Sequence, residues 1–590
     1  MTYLRCAWII VFSGILMLLP SQTFAQSRPF LTYIANSASY SGSGIAQGSI
    51  FVAFGDNLGP SKLVQAASYP LTTQLAGTSA TVRVGGSIIP CPMIYTSANQ
   101  IAAILPSNTP LGDGTLAVAF NGLTTVANFI RVVKGAVGIF TVSSSGTGPG
   151  ILTGADYITK TLAKPAKRGE TLIAWVTGLG PVEGGDTAPN LGKQFPDTEV
   201  FVGDRAAKVI YAGRSGCCAG LDQIVFEVPD APLSCFVPVS IRTPGESSNF
   251  VTVPISAGGE PCSNPTPGIP AALLSRALAG EQITVAMLGV GPVPVLQGAG
   301  FSFSQGIADQ LSKILHVAVR EADVARLIHA YRARNMAAVR KIMGQYSPYV
   351  KTLDTRAKNL IRAAVSRDQQ GAAATFHRSS GIVALTPQLA ANIPAVGTCM
   401  VVRRIPTDST LRTRPLDAGS SLTVESPLGR KTMVKISNGQ YQAVLGAGST
   451  QASTVPGFYT ISGTGGADVG AFSTSVNITN SLVWTNKSSV TDIDRTRPLT
   501  LTWSGGSVPG YVLIGGTLQS FDGPAIFTCV EETRRGTFAI PQFVLSALPS
   551  SPDGTLFISP HPFSNPITIP GLDLAFLGDA SSDSRFVAYR

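Results

Sequence analysis

A phrase that occurs twice constrains the fold of this chain more than any other feature. GSIFVAFGDNLGP fills residues 48–60, and GETLIAWVTGLGP fills residues 169–181. Both are hydrophobic runs that stop at Leu-Gly-Pro. Proline lacks the backbone N–H that a sheet ladder needs, so each stop marks the end of a strand. The two phrases therefore predict the same strand end in two copies of one folding unit.

Landmarks beyond the two phrases keep the same order. The first phrase is followed by VRVGGSIIPCPMIY, Gln100-Ile101, Pro106 and Asn128-Phe129. The second is followed by VFVGDRAAKVIY, Gln223-Ile224, Pro229 and Asn249-Phe250. A fixed order of landmarks at nearly constant spacing indicates a duplicated unit of about 100 to 120 residues.

Each unit contains short segments in which apolar and polar residues alternate, such as SIFVAF, TVRVGG, TLAVAF and FIRVV. Such alternation is typical of half-buried strands, and Asn121-Gly122 is a strong signal for a tight hairpin turn. Charged residues make up only 13% of the chain, while glycine and proline fill 62 and 41 positions. This balance favours all-β domains joined by turns, and the density of short strands favours immunoglobulin-like (Ig-like) sandwiches.

The N-terminal half also resembles a known family. NSASYSGSGIAQGSIFVAFGDNLGP, MIYTSANQIAAILP, GIF at residues 138–140 and TGLGPV at residues 177–182 resemble an uncharacterised tandem Ig-like (IPT/TIG-style) β-sandwich family of secreted acidobacterial proteins. The resemblance covers about residues 33–255 and implies an exported all-β module of unassigned activity. It supplies no catalytic residues. This chain departs from the usual layout because the pair lies near its N-terminus.

Residues 1–25 are predicted to be a secretory signal peptide. Arg5 precedes the apolar run Ala7–Leu19, and Thr23-Phe24-Ala25 places small residues at a cleavage site before Gln26. The alternative is an uncleaved anchor helix, which needs about 20 apolar residues. No later segment is long and apolar enough to span a membrane, so the mature chain is expected to be secreted, periplasmic or at the cell surface.

The C-terminal half changes character along its length. Between residues 305 and 376 glycine nearly disappears, apolar residues follow helical spacing, and basic residues outnumber acidic ones. This basic helical segment either contacts anionic surfaces or is a structural insert whose charges are solvated. Nucleic acid is a disfavoured partner, because the protein is expected to be exported and no aromatic stacking platform accompanies the charges.

These observations predict a mainly-β chain with tandem Ig-like β-sandwiches, a small α-helical insert and a further C-terminal β-sandwich region. The predicted divisions are a signal peptide (1–25), Ig-like β-sandwich 1 (30–134), Ig-like β-sandwich 2 (135–256), a Pro/Gly-rich linker (257–304), the basic helical segment (305–376), a β-sandwich (377–478) and a C-terminal β-sandwich (479–590).

Seven cysteines follow the predicted signal peptide, and an exported chain is free to form disulfides. Cys399 and Cys529 are natural partners because they stand alone in the C-terminal half. The adjacent pair Cys217 and Cys218 is predicted to reach Cys235 or Cys262. A metal site is disfavoured, because the chain has no CxxC pair and its histidines lie far from its cysteines.

Motifs for catalysis are missing from the sequence. It contains no HExxH, no GxSxG and no Lys-Ser/Thr after the glycine-bearing stops, so we expect no enzyme activity and no cofactor. Trp484 and Trp503 either stack on a sugar ligand or fill core strand positions. The leading hypothesis is an exported non-catalytic protein of cell-surface architecture, adhesion or binding, whose partner is an extracellular protein or polysaccharide. The alternatives are a carbohydrate-binding accessory protein and a hydrolase with an unrecognised site.

Overall fold

The computed structural model describes residues 28–191, 194–262, 270–292, 369–380, 394–403, 414–447, 454–520, 523–561 and 566–590, together with residues 320, 323, 326 and 341–342. The predicted signal peptide and most of the predicted basic helical segment lie outside these residues. Asp323, Arg326, Lys341 and Ile342 are described and helical. The described residues are mainly in β-strands, which confirms the predicted mainly-β fold.

The first sandwich is formed by two sheets that enclose one core. Its strands are β1 (Phe30–Asn36), β2 (Ile45–Ala46), β3 (Ile50–Asp56), β4 (Val64–Gln65), β5 (Gln74–Leu75), β6 (Thr78–Val84), β7 (Ser87–Cys91), β8 (Met93–Thr96), β9 (Gln100–Ile104), β10 (Gly112–Phe120), β11 (Leu123–Thr124) and β12 (Asn128–Val133). One sheet has the order β1-β3-β9-β8-β4, and the other has β2-β12-β10-β6-β5. Phe51 and Ile101 from one sheet meet Val82 and Val118 from the other, as alternation along the strands requires.

The second sandwich follows directly. Its strands are β13 (Gly138–Ile139), β14 (Leu152–Thr153), β15 (Thr171–Thr177), β16 (Glu199–Val202), β17 (Arg205–Arg214), β18 (Asp222–Glu227), β19 (Ser234–Thr243), β20 (Glu246–Ser247) and β21 (Val251–Ile255). The first residues of β17 pair with β16 and its later residues pair with β18, so this one long strand joins the two faces. Its core contains Leu172, Val176, Phe226, Val239 and Val253.

The repeated phrase ends the same strand in both copies. Strand β3 ends at Asp56 and β15 ends at Thr177, just before each Leu-Gly-Pro. The registers also agree, because Phe54 pairs with Gln100 in the first copy and Trp175 pairs with Gln223 in the second. A Cβ at Gly59 would lie 2.1 Å from Thr96 Oγ1, so close packing excludes a side chain at this corner.

The C-terminal half contains two interleaved regions. One sheet has the order β30-β29-β26-β27-β28-β23-β22-β39-β38, with β25 paired to β23. Its strands are β22 (Gln282–Pro292), β23 (Gln369–Ser380), β25 (Arg414–Pro415), β26 (Ser421–Ser426), β27 (Gly429–Ser437), β28 (Gln440–Ala447), β29 (Gly457–Gly463), β30 (Phe472–Ile478), β38 (Pro566–Ile567) and β39 (Leu574–Asp579). Its core includes Val290, Phe376, Tyr441, Tyr459 and Leu577.

The other region has a sheet with the order β24-β35-β34-β37-β40-β32 and a smaller sheet with the order β31-β33-β36. Its strands are β24 (Thr398–Arg403), β31 (Val483–Trp484), β32 (Asp492–Ile493), β33 (Leu499–Ser504), β34 (Tyr511–Ser520), β35 (Gly523–Glu532), β36 (Thr537–Ile540), β37 (Ser551–Pro560) and β40 (Asp583–Tyr589). The described residues also form α-helices α1 (Ala271–Leu278) and α2 (Gln542–Ser546) and 3₁₀ turns at Lys487–Ser489 and Thr533–Arg535.

Four of the predicted divisions need correction. The predicted linker 257–304 contains α1 and β22, and β22 lies between β23 and β39 inside a sheet. The last part of the predicted helical segment 305–376 belongs to strand β23. The boundary between 377–478 and 479–590 is crossed in both directions, because β39 lies in the sheet that contains β26 to β30, and β24 pairs with β35. Pairing between distant segments overrides the local glycine, proline and alanine signals.

Candidate functional site

The two candidate tryptophans lie in the core. Trp484 is 3% exposed and Trp503 is 4% exposed, and the two are paired across β31 and β33. Trp484 Nε1 donates to Asn486 Oδ1 at 2.8 Å, and Trp503 Nε1 donates to the Thr533 carbonyl at 2.9 Å. Neither indole has a free face, so the sugar-stacking alternative is wrong at these positions and the core alternative holds.

The cysteines pair partly as predicted. Cys399 and Cys529 form a disulfide between neighbouring strands, which confirms that prediction. Cys235 bonds to Cys262, so the predicted bond from Cys217 or Cys218 to one of them is wrong. The reason is position: Cys235 and Cys262 share a buried cluster, while the adjacent pair lies in the loop between β17 and β18.

A polar groove separates the second sandwich from the last region. Its volume is about 420 Å³, and Asp197, Glu199, Arg242 and Gln542 are among the lining residues. The Arg242 guanidinium contacts the Glu199 carboxylate at 2.6 Å and donates to Gln542 Oε1 at 3.0 Å. The Arg242 side chain is therefore held between Glu199 of the second sandwich and Gln542 of the last region, and it joins the two regions at the groove.

A second contact, between the two repeated sandwiches, contains two buried charged side chains, Arg214 and Asp222. Arg214 ends β17 and Asp222 begins β18, so they face each other across the base of a hairpin. Arg214 is 2% exposed and Asp222 is fully buried. Arg214 Nη1 lies 2.7 Å from Asp222 Oδ1, and Arg214 Nη2 donates to the Gly48 carbonyl of the first sandwich at 2.6 Å. We call this network, with Asp186 and Ser107, the joint.

The second Leu-Gly-Pro stop is part of the joint. The N–H groups of Gly178 and Leu179 donate to Asp222 Oδ2 at 2.9 and 3.0 Å. Burial raises the pKa of Asp222, while the charge of Arg214 and these two N–H donors act in the opposite direction. A buried carboxylate with this many donors is held in one orientation, which fixes the end of β15 against the hairpin.

Asp186 continues the joint on the side of the first sandwich. It accepts hydrogen bonds from the Ser107 N–H at 2.7 Å and from the Ser107 hydroxyl at 2.8 Å. Ser107 Oγ in turn accepts from the Val182 N–H at 3.0 Å. Asp186 Oδ1 also lies 3.8 Å from Arg214 Nη2. The network therefore runs from Ser107 of the first sandwich through the Asp186 carboxylate to Arg214, and from Arg214 to the Asp222 carboxylate.

Further contacts surround these charges. Asn36 Nδ2 donates to the Ala136 carbonyl at 2.9 Å, and the Ile50 N–H donates to Thr177 Oγ1 at 3.0 Å. Leu71 and Ile104 of the first sandwich pack on Ala219, in the hairpin loop of the second. Polar and apolar contacts thus combine over one interface, and they favour a single relative orientation of the two sandwiches.

Sequence reasoning missed the joint. Leu58 occupies the place of Leu179 in the first copy, and its N–H donates to the Ala98 carbonyl rather than to a carboxylate. The only available signal was a difference between the copies, since charged residues at 214 and 222 flank a hairpin that is uncharged at Ala98 and Asn99 in the first copy.

The copies also share an aromatic pair. Tyr40 packs on Phe54 and Tyr157 packs on Trp175, each with ring centroids 6.2 Å apart. Both tyrosines have a positive φ, 56° for Tyr40 and 60° for Tyr157. Tyr40 is half-buried, whereas Tyr157 is 68% exposed. The tyrosine ring is therefore exposed in the second copy, whereas the equivalent ring in the first copy is partly buried.

Among the residues that the structure describes, no helix is both long enough and apolar enough to cross a membrane. Within the same residues, no three side chains of histidine, cysteine, aspartate or glutamate come together in a way that suits a metal ion.

No protein family profile and no curated protein matches the chain. Among solved structures, a protein of unknown function from Bacteroides thetaiotaomicron aligns at 12% identity and a TM-score of 0.14, over 37% of this chain and 47% of its own length. Domains 5–6 of the S-layer protein SbsC align at 12% identity and a TM-score of 0.16, over 39% and 99%. The Yersinia pseudotuberculosis adhesin InvE aligns at 15% identity and a TM-score of 0.11, over 38% and 57%. The chain spans about half the length of the first of these.

Proposed function

We propose that this chain is an exported, non-catalytic β-sandwich protein of cell-surface architecture, adhesion or binding, in which the two repeated sandwiches act as one stiff spacer. The observation that carries the proposal is the joint. Contacts between domains of one chain usually permit relative motion. Here the buried Arg214 donates to the Gly48 carbonyl of the first sandwich, and Asp186 of the second accepts two hydrogen bonds from Ser107 of the first. Opening the interface would break these charged hydrogen bonds, so opening is opposed.

The disulfides support the export part of the proposal. Cys235–Cys262 and Cys399–Cys529 are both formed, and structural disulfides persist in oxidising compartments rather than in the cytosol. A spacer needs a fixed direction and a durable fold, and cross-links together with a rigid joint provide both.

Protease treatment of intact cells tests the proposal. We expect the full chain, tagged at its C-terminus and produced in a bacterial host, to be degraded by protease added outside the cells or outside spheroplasts. Alkylation under denaturing, non-reducing conditions should leave Cys399 and Cys529 unlabelled. Retention in the cytoplasm with both thiols free would contradict the proposal.

The stiffness of the spacer is tested separately. Spin labels placed on exposed positions of the two sandwiches should give one narrow distance distribution in the full chain, and Arg214→Met should broaden it. Arg168→Met is the matched control, because Arg168 forms an exposed ion pair with Asp230 away from the joint. Equal distributions for all three proteins would remove the joint as the source of stiffness.

A specific observation favours carbohydrate binding as a second function. The exposed Tyr157 ring beside Trp175 offers an apolar face of the kind on which the C–H face of a pyranose stacks. On a glycan array, Tyr157→Ala should lower binding by about tenfold, equivalent to about 1.4 kcal/mol. Phe458→Ala removes an equally exposed ring elsewhere and should leave binding unchanged. A blank array, or equal losses for both variants, would dismiss this function.

A further inference from the structure

Two neighbouring cysteines lie at the tip of the hairpin whose base forms the joint. Cys217 and Cys218 follow the end of β17 and precede the start of β18. Their Sγ atoms are 2.7 Å apart, closer than the about 3.5–4.0 Å of ordinary contact between heavy atoms. The Ser215 hydroxyl donates to Cys217 Sγ at 3.2 Å. Cys217 is exposed and Cys218 is half-buried, so a reagent in solution reaches the pair.

The other cysteines of the described residues leave this pair without another intramolecular partner. Cys235–Cys262 and Cys399–Cys529 are bonded, and the remaining thiol, Cys91, is completely buried in the core of the first sandwich. A chain that has formed two disulfides has met an oxidant. Under that oxidant the exposed pair either closes on itself or binds an external thiol.

We propose that Cys217 and Cys218 are a redox modification site that closes to a vicinal disulfide, and that its oxidation state adjusts the contact between the two repeated sandwiches. The co-reactant is a low-molecular-weight or protein disulfide. The Cys217 thiolate attacks one sulfur of that disulfide and releases its other sulfur as a thiolate. Cys218 then loses its proton and attacks Cys217 Sγ, which releases the second thiol. Two electrons and two protons pass to the external disulfide, which becomes two thiols.

The order of attack follows from exposure. Burial is the main cause that raises the pKa of the Cys218 thiol to about 11, so Cys218 remains protonated at neutral pH until Cys217 has reacted. Cys217 lies at the surface and meets the reagent first. The closing step is intramolecular and starts from sulfurs already in contact, which favours it over capture by a second external thiol.

The closed bond is expected to be easily reduced. Neighbouring Cα atoms are about 3.8 Å apart, whereas relaxed disulfides span about 4.4–6.8 Å. A strained and exposed disulfide is more readily reduced than a buried structural one. The site therefore suits a reversible change and contributes little as a permanent cross-link.

The loop containing the pair touches the first sandwich directly. Ala219, the next residue, packs on Leu71 and Ile104, and its N–H donates to the Tyr69 hydroxyl at 3.4 Å. Gly220 is so close to Ile50 that an added Cβ would lie 2.8 Å from its side chain. Ring closure changes the peptide between 217 and 218, which immediately precedes these contacts.

Mass spectrometry of the full chain tests the chemistry. After incubation with oxidised glutathione and alkylation, the peptide containing both cysteines should carry no alkyl group and no glutathione, and should be two hydrogens lighter than the dithiol. Dithiothreitol should open it at a concentration about tenfold below that needed for the other two disulfides. Cys218→Ser should instead hold glutathione as a mixed disulfide at Cys217. Glutathione on Cys217 in the unsubstituted chain, or two alkylated thiols, would overturn the proposal.

Hydrogen exchange tests the effect on the interface. Opening the ring should change the exchange of the Leu71 amide, which donates to the Thr187 carbonyl across the two sandwiches, by about tenfold. The amide of Ile514 in β34 is the internal reference. The double variant Cys217→Ser/Cys218→Ser should show one exchange rate in both redox conditions. An unchanged Leu71 rate in the unsubstituted chain would overturn the coupling to the interface.

Discussion

Lowering the pH should weaken the last region of this protein through one buried histidine. His561 follows β37, the residue is 3% exposed, and its backbone N–H donates to the Tyr511 carbonyl at 2.9 Å. Its ring lies edge-on to the Tyr511 ring, with centroids 6.5 Å apart. Burial lowers the pKa of His561 from 6.5 to about 3, because a charged imidazole at this buried position would have no water to solvate it.

The sign and size of the effect follow from proton linkage. The unfolded chain binds a proton at this histidine near pH 6.5, while the folded chain does so only near pH 3. Between these values the unfolded state holds more protons, so the free energy of unfolding falls as the pH falls. With a slope approaching about 1.4 kcal/mol per pH unit, the loss relative to pH 8 is about 1.4 kcal/mol at pH 5.5 and about 2 kcal/mol at pH 5.0.

Urea unfolding monitored by tryptophan fluorescence measures this loss. In a Trp175→Phe background the folded domains report through Trp484 and Trp503, which share the core of the last region. From pH 8 to pH 5 the free energy of unfolding of the parent should fall by about 2 kcal/mol more than that of His561→Phe. The carboxylates common to both proteins cancel in this difference.

A matched substitution separates titration from packing. Tyr511→Phe alters the same contact and keeps His561 in place, so its effect should be the same at pH 5 and pH 8. A parent-to-His561→Phe difference that is also flat across this range would refute the reasoning, because it would show that folding does not change the proton affinity of His561.

Three further changes should have distinct effects in urea unfolding monitored by circular dichroism, which reports on every β-sandwich of the chain. Arg214→Met should cost about 3–5 kcal/mol by leaving Asp222 buried and unpaired, and Arg214→Met/Asp222→Leu should recover part of it; a double variant worse than the single would contradict this. Loss of the Cys399–Cys529 bond, which closes a sequence separation of 130 residues, should cost about 5 kcal/mol, and a cost below about 2 kcal/mol would contradict the loop-closure estimate. Gly59→Ala should cost about 1–3 kcal/mol because of its contact with Thr96, while Gly86→Ala, which has open space around it, should be nearly neutral; equal costs would contradict the packing argument.

The duplicated sandwiches were the most predictable part of the fold. Their landmarks depend on local rules, namely alternation along a strand and proline at its end, and both copies give the same register at Phe54 and Trp175. The C-terminal half was less predictable. Strand β22 carries Gly289 and Gly291, which favour a linker locally, and β23 contains GAAATFH, whose alanines favour a helix. Both are strands because partners distant in sequence pair with them on each side.

The joint could not be predicted from sequence, because burial of a charge depends on what the fold places over it. Arg214 and Asp222 look like ordinary solvated residues of a hairpin. They become a buried pair only when Gly48 and the 178–180 turn close over them. The exposed Tyr157 was missed for the opposite reason, since an aromatic residue in a glycine-rich stretch gives no sign of whether it is covered.

The interleaved C-terminal half also determines when each part of the chain can finish folding. Thr284 in β22 accepts and donates hydrogen bonds with Asp573, a residue 289 positions later. Synthesis releases the chain from its N-terminus, so the two repeated sandwiches can fold while later segments are still emerging. The sheet built on β22 stays open until β39 arrives, near the end of the chain. Its unpaired strand edges are therefore exposed throughout this interval and must be shielded until β39 arrives. The two repeated sandwiches do not share this requirement.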